Sequence, residues 1–240
     1  MSNSKKMSQI QQKLGGGKEL TKISNKMDKL IYKLVSDLKS KLEKEFKVNI
    51  LHEKDIKLKY VVEKLRKNFP KENWNYKFDK SSMRPDGGIL FIIDREKNKY
   101  PILIAEQKKQ GTNDEIIATK GRKQASGNAI ERMGKNVIGF RTWLKNESIF
   151  PYVCFGYGWD FNEKSSIIDR IITIAEFGKL NETNLYNTEF TKRGSFYFKE
   201  HPLNKNEIFN IMYDIAKRSI QYYFSKYSDK IFVIKYIGSE

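Results

Sequence analysis

MRPDGGILFIIDREKNKYPILIAEQKKQG, residues 83–111, holds two apolar runs, Ile89–Ile93 and Ile102–Ala105, separated by the polar turn Asp94–Lys99. Such runs predict two neighbouring buried strands. So short a connection predicts an antiparallel hairpin. Charge gathers at one end of it. Asp86 stands between Pro85 and two glycines just before the first strand, and Glu106-Gln107-Lys108 closes the second. Side chains alternate along a strand, so Glu106 and Lys108 share a face. Antiparallel pairing then sets the start of one strand, with Asp86, beside the end of the other. Two carboxylates at one sheet end make a hard-oxygen site suited to Mg2+. A lysine on the same face can hold or help deprotonate a water, and its charge offsets that of a developing phosphorane. Those are the parts needed to hydrolyse a phosphodiester. A bare E-x-K in a lysine-rich chain is most simply a salt bridge on a solvated strand end; the P-D before the neighbouring strand strengthens the site reading. Gly87-Gly88 is either a plain turn or room for a backbone or phosphate to approach closely.

Outward from this hairpin the chain reads as a mixture of helices and strands. Residues 1–20 are polar and broken by Gly15-Gly16-Gly17, which predicts a flexible basic arm. The remainder, 21–240, reads as a single domain. Apolar residues at Met27, Leu30, Ile31, Leu34, Leu38 and Leu42 predict a helix over Asn25–Phe46. A second helix is expected over Ile56–Asn68, ended by Pro70. Trp74–Phe78 alternates like a short strand. Gly111–Lys123 is polar and reads as a loop. Asn128–Lys145 reads as a helix with Ile130, Val137, Ile138, Phe140, Trp143 and Leu144 as its apolar contacts. Pro151–Tyr157 (PYVCFGY) is an apolar run with the look of a buried strand. Ile167–Phe177 reads as a helix stopped by Gly178. Ser195–Lys199 reads as a strand and Glu207–Tyr227 as a long amphipathic helix, with Phe209, Ile211, Met212, Ile215, Ile220 and Tyr223 as its core face. The alternating Lys230–Tyr236 (KIFVIKY) reads as a closing strand. The expected class is α/β: a mixed central sheet flanked by helices.

Composition narrows the partners. The 240 residues carry 46 Lys+Arg against 29 Asp+Glu, a formal charge of +17. Such a surplus favours a polyanion, because each neutralised phosphate releases counterions; a lysine-rich proteome accounts for it equally well. The one cysteine, Cys154, lies in an apolar run and reads as core, which excludes an intrachain disulfide and fits a reducing compartment. No apolar stretch approaches a membrane span, and the N-terminus has no secretory h-region. His52 and His201 lack ligand spacing and receive no role.

A second motif, Gly127-Asn128-Ala129-Ile130-Glu131-Arg132, has its own chemistry. Gly127 frees the chain ahead of a helix, and Asn128 is a good N-cap candidate. Arg132 lies four residues on, on the same face, where it is either solvated or paired with Glu131. In a major groove, Asn matches adenine bidentately and Ala touches a thymine methyl. A helix N-terminus brings such groups to base edges.

SSMRPDGGI, ILIAEQKKQG, SGNAIER and FPYVCF, in this order, resemble the EcoRI family of restriction endonucleases within the PD-(D/E)xK nuclease superfamily. The resemblance runs from about Ser81 to Phe161 and continues weakly through IIDRIITIAEFGKL. It implies a PD-(D/E)xK fold and a type II enzyme of the bacterial cytoplasm that cuts double-stranded DNA as a homodimer. By position, Asp86 and Glu106 would be Mg2+ ligands with the Gln107 carbonyl, and Lys108 would position the attacking water. Cleavage would leave a 5′-phosphate and a 3′-hydroxyl. Asn128, Ala129 and Arg132 would read a central AATT, and Glu131 would buttress arginines across the dimer. Two-fold symmetry then demands a palindrome. Gln124 and Ala125 fall where the outer base pair is read, and Gln110 lies beside the active site. This segment departs from the family pattern, the loop from Glu106 to Asn128 is shorter, and of a downstream arginine pair only Arg170 remains, with Thr173 at the other position. GAATTC is therefore the first expectation, with CAATTG and bare AATT open. Arg84, Lys109, Lys120, Arg122 and Lys123 are either a solvated surface or, in this context, phosphate contacts, which position without specifying. The resemblance also implies a companion DNA methyltransferase acting on the same site. Two other classes remain: an inactive DNA-binding protein on the same scaffold, and a repair or recombination nuclease that reads structure and leaves the GNAIER stretch without purpose.

Overall fold

The computed structural model describes residues 17–75, 80–109, 128–158, 161, 172–173, 176–186 and 193–233. Its first helix, α1 (Gly17–Phe46), starts eight residues before the expected Asn25 and takes in Gly17–Leu20 of the segment read as an arm. Then come strand β1 (Asn49–Glu53), the short β2 (Ile56–Lys57), helix α2 (Leu58–Asn68), β3 (Ser82–Met83), β4 (Gly88–Ile93), β5 (Lys99–Lys109), helix α3 (Asn128–Trp143), β6 (Tyr152–Tyr157), β7 (Gly178–Leu180), β8 (Gly194–Lys199) and helix α4 (Lys205–Tyr227).

Six strands form the central sheet in the order β1-β4-β5-β6-β8-β7. The β1–β4 and β4–β5 pairs are antiparallel; β5–β6, β6–β8 and β8–β7 are parallel. This is the mixed sheet expected, with β4 and β5 as the antiparallel hairpin. Parallel strands are covered on both faces, which is why β6 has no polar alternation and all six of its residues are buried. One face packs on α1 and α4 through Ile31, Val35, Leu38, Met212, Ile215 and Ile220. The other packs on α2 and α3 through Val61, Met133, Val137 and Phe140. Each such fully buried aliphatic or aromatic side chain contributes about 1.5–3 kcal/mol. Register shifts between Leu90 and Phe91. The extra residue on β5 puts both Ile102 and Leu103 into the α1–α4 core, as a bulge does.

Several expectations need correction. Ile56 opens a two-residue strand paired with Met83, and the helix begins only at Leu58. Trp74 and Asn75 form no strand; residues 76–78 lie outside the described residues. Helix α3 ends at Trp143, and Ile138 is exposed instead of packed. Asn128 is its first residue, one position past a cap, within the ambiguity of helix ends. Of Ile167–Phe177, residues 172–173 are helical, 176–177 form a turn, and the rest lie outside the described residues. Gly178 does not stop a helix but starts β7. Lys230–Tyr236 is no strand where described. Ser228 turns the chain at φ 75°, Asp229–Ile231 make a 3-10 turn, and only Val233 bridges back, to Val48. The loop Gly111–Lys123 and most of the arm lie outside the described residues. Among the described residues no helix is long and apolar enough to cross a membrane.

Candidate active site

Strand β5 outruns its antiparallel neighbour. Gly88, the first residue of β4, pairs with Ala105, whereas β5 continues to Lys109 alongside β6. The edge from Glu106 onward is therefore left without β4. The loop Pro85–Gly87 takes its place. Gly87 N–H donates to the Ala105 carbonyl at 2.9 Å. The next inward-facing amide, Gln107 N–H, donates to the Asp86 carboxylate at 3.1 Å. Asp86 thus substitutes a side chain for the missing strand, and that bond fixes where its carboxylate lies. The glycines after it are required by geometry. Gly88 has φ 77°, and a Cβ there would stand 2.6 Å from the Glu53 carbonyl oxygen. A Cβ on Gly87 would meet Ala105 at 2.8 Å and the Ile31 side chain at 3.2 Å.

On this overhang, alternation sets Glu106 and Lys108 on one face. The Lys108 Nζ lies 2.5 Å from Glu106 Oε1 and 3.0 Å from Asp86 Oδ2. Both acids therefore converge on a single point. Their environments differ: Glu106 is fully enclosed, whereas Asp86 and Lys108 keep 25% and 17% of their side chains exposed. Burial raises the Glu106 carboxyl above the usual carboxylate range, and the Lys108 charge opposes this. Burial also works against the charge of Lys108. The Glu106 and Asp86 carboxylates outweigh it and hold the ammonium above its ordinary range. In this arrangement Lys108 is a hydrogen-bond donor and a fixed positive charge.

Two partners of this cluster and one support of the Asp86 loop carried no signal in the sequence. Asn136, on α3, donates through Nδ2 to both Glu106 oxygens, at 2.9 and 3.1 Å. Tyr152 on β6 donates to Glu106 Oε2 at 3.3 Å. His52 on β1 stacks on Tyr32 with ring centroids 4.3 Å apart. Its Nε2 lies 2.8 Å from the Gly87 carbonyl oxygen, which can only accept, so Nε2 carries the proton. Nδ1 lies 3.1 Å from Ser36 Oγ. No spacing rule finds these residues, because each meets its partner through the tertiary fold. Asp28 on α1 feels the site electrostatically. Burial raises its pKa, and the Asp86 charge adds to that. Cys154, beside Glu106 in the β5–β6 register, is a buried thiol whose pKa burial pushes far up, as expected of an inert core residue.

The donor set suits a hard divalent ion. Among the described residues no three His, Cys, Asp or Glu side chains are placed to share a metal. Two converging carboxylates are available instead, the number Mg2+ commonly takes while keeping waters and phosphate oxygens. Of the other residues singled out in the sequence, Arg84 is exposed and Lys109 half-buried at the end of β5. Asn128, Ala129, Glu131 and Arg132 occupy the start of α3; nothing is described of their side chains. Gln110, Lys120, Arg122, Lys123, Gln124, Ala125 and Arg170 lie outside the described residues.

Comparison with known proteins bears on this geometry. Residues 14–171 match the family model described as restriction endonuclease EcoRI. The chain is 30% identical over 251 residues to the type II restriction enzyme RsrI of Cereibacter sphaeroides, covering 88% of this chain and 91% of that one. It is 27% identical over 223 residues to the type II restriction enzyme EcoRI of Escherichia coli, covering 77% of this chain and 80% of that one.

Proposed function

The chain belongs to the EcoRI family of restriction endonucleases, and from that premise we propose that it cuts double-stranded DNA, with Mg2+, at a palindrome containing AATT. It is a type II restriction endonuclease, a site-specific deoxyribonuclease with the PD-(D/E)xK fold. The observation that carries the mechanism is the meeting of Asp86 and Glu106 at the Lys108 ammonium.

Asp86 and Glu106 would hold the ion. The Gln107 carbonyl joins them by a backbone argument: within one strand residue N–H and C=O point to the same side, and Gln107 N–H points to Asp86. Mg2+ bound there would supply Lewis-acid polarisation of the phosphate and a water of lowered pKa. Lys108 donates to the attacking water, orients it in line, and offsets charge gathering on the phosphorane. The products are a 5′-phosphate and a 3′-hydroxyl.

Base reading falls to the start of α3, where Asn128, Ala129 and Arg132 lie within its first turns. A helix N-terminus in the major groove presents Asn to adenine and Ala to the thymine methyl. A homodimer with two-fold symmetry reads a palindrome. GAATTC, cut to leave 5′ AATT overhangs, is the first choice; CAATTG and AATT differ only in the outer pair assigned to Gln124 and Ala125, with Gln110 a further base-reading residue beside the active site. The place of action is the bacterial cytoplasm, where a methyltransferase of the same specificity protects the host.

Incubation with plasmid DNA and Mg2+ should give discrete fragments whose sequenced ends carry 5′ AATT. Glu106→Ala should lower cutting below detection while leaving duplex binding intact or tighter, since a carboxylate facing phosphate is removed. A smear would point to a nuclease without sequence preference. Salt-sensitive binding with no cutting would point to a DNA-binding protein on the same scaffold. Undiminished cutting by Glu106→Ala would sink the site assignment.

A further inference from the structure

The Glu106 carboxylate is held from three elements. Lys108 of its own strand meets Oε1, Tyr152 of β6 meets Oε2, and Asn136 of α3 straddles the two oxygens at 2.9 and 3.1 Å. Lys108 and Tyr152 each engage a single oxygen, and the broad energy well of the last torsion leaves the carboxylate freedom to rock. A donor placed between both oxygens removes that freedom. Asn136 is half-buried, and its partner Glu106 is fully enclosed, so the carboxylate end of these bonds is shielded from water.

We propose that Asn136 is a positioning residue: its amide fixes the orientation of the Glu106 carboxylate for ion binding, and anchors the ion site to the helix that begins with Asn128. Asn136 follows Asn128 on one uninterrupted helix, about 12 Å along its axis. The proposal rests on Asp86 and Glu106 being the ion ligands. Outer partners of metal-binding carboxylates change metal affinity by about 10- to 100-fold when removed.

The test uses the full chain bound to a duplex containing AATT, titrated calorimetrically with Ca2+, a cation that takes the same oxygen ligands. A gel confirms that the duplex stays intact. Asn136→Ala and the near-isosteric Asn136→Leu should each weaken Ca2+ binding by about 10- to 100-fold. Their duplex affinity without ion should stay within about twofold, and half-maximal cutting should move to higher Mg2+ by the same factor as the Ca2+ loss. Asn136→Gln, which keeps the amide on a longer arm, should recover part of the loss. Melting temperatures report whether each variant folds. Unchanged Ca2+ affinity in both the Ala and Leu variants would overturn the proposal. So would a parallel fall in ion-free duplex affinity, which would place Asn136 on DNA. Glu106→Ala is titrated alongside. If it binds Ca2+ like the unaltered chain, the ion site itself is misassigned; if it fails to bind while the Asn136 variants bind normally, only the positioning role falls.

Discussion

His52 shows how much one side chain can contribute without touching the chemistry. It joins α1 to the Asp86 loop by stacking on Tyr32 and bonding the Gly87 carbonyl. Burial lowers its pKa below the ordinary 6.5; the charges of Lys39 and Lys54 act in the same direction, and the bond to Gly87 opposes them. The unfolded chain therefore binds a proton more readily than the folded one. Stability from this group is fully present above pH 6.5 and is lost as pH falls through the lowered folded value. The difference in unfolding free energy between the native chain and His52→Gln should accordingly shrink on acidification from pH 7.5 to 5, as thermal melts at each pH will report. His52→Ala, which strips the Gly87 carbonyl of its donor, should cost about 1–3 kcal/mol at neutral pH. A native–Gln difference that stays flat with pH would mean that His52 does not change protonation on unfolding. None of this is written in the local sequence. Asp86, Glu106 and Lys108 were legible because strand alternation and hairpin pairing alone bring them together. His52 and Asn136 were not, because their partners lie across the fold.

At the scale of elements, legibility followed burial. Gly88–Ile93 and Tyr152–Tyr157 announce themselves as apolar runs because both faces of those strands are covered. Strand β1, NILHE, was missed because it lies at the sheet edge and mixes apolar with ionisable residues. Strand β7 is three residues long, too short for any period to register. KIFVIKY alternates well, yet after the positive φ at Ser228 its first residues, Lys230 and Ile231, lie in a 3-10 turn, a tertiary outcome that alternation cannot foresee. For α4 the sequence does carry a start signal. Asn204 accepts from Glu207 N–H while the Glu207 carboxylate accepts from Asn204 N–H, a capping box that places the start two residues before the expected Glu207. Helix α3 carries a test of its own. A Cβ on Gly139 would collide with the Met83 sulfur, whereas a Cβ on Gly134 meets nothing within 4 Å. Gly134→Ala should stabilise the chain by up to about 1 kcal/mol, the helix-interior cost of glycine. Gly139→Ala should destabilise it, because the buried Met83 side chain must repack to make room. Urea unfolding of both variants checks the pair. The opposite order would mean that the Met83 side chain does not occupy the space beside Gly139.

At the scale of the whole molecule the question is whether a charge of +17 is functional. Two readings of it make different predictions for salt. If the surplus were only background, duplex binding would depend on a few bonds to bases, and salt would barely alter it. If Arg84, Lys109 and the other basic residues near the site meet phosphates, each contact releases condensed cations, and log K falls by about 0.9 per contact for each decade of salt. A symmetric dimer doubles every contact, so three to five per protomer give a slope of roughly −5 to −9. Ion-free binding to an AATT-containing duplex should then weaken by about 10³- to 10⁵-fold between 50 and 200 mM salt. Arg84→Ala should make the slope shallower by about two, one contact per half-site, while leaving the preference for one sequence over another unchanged. The Arg84 substitution separates the readings because base contacts carry sequence information and phosphate contacts do not. A slope near zero, measured by fluorescence anisotropy across that range, would assign the basic surface to composition alone and leave affinity to the start of α3.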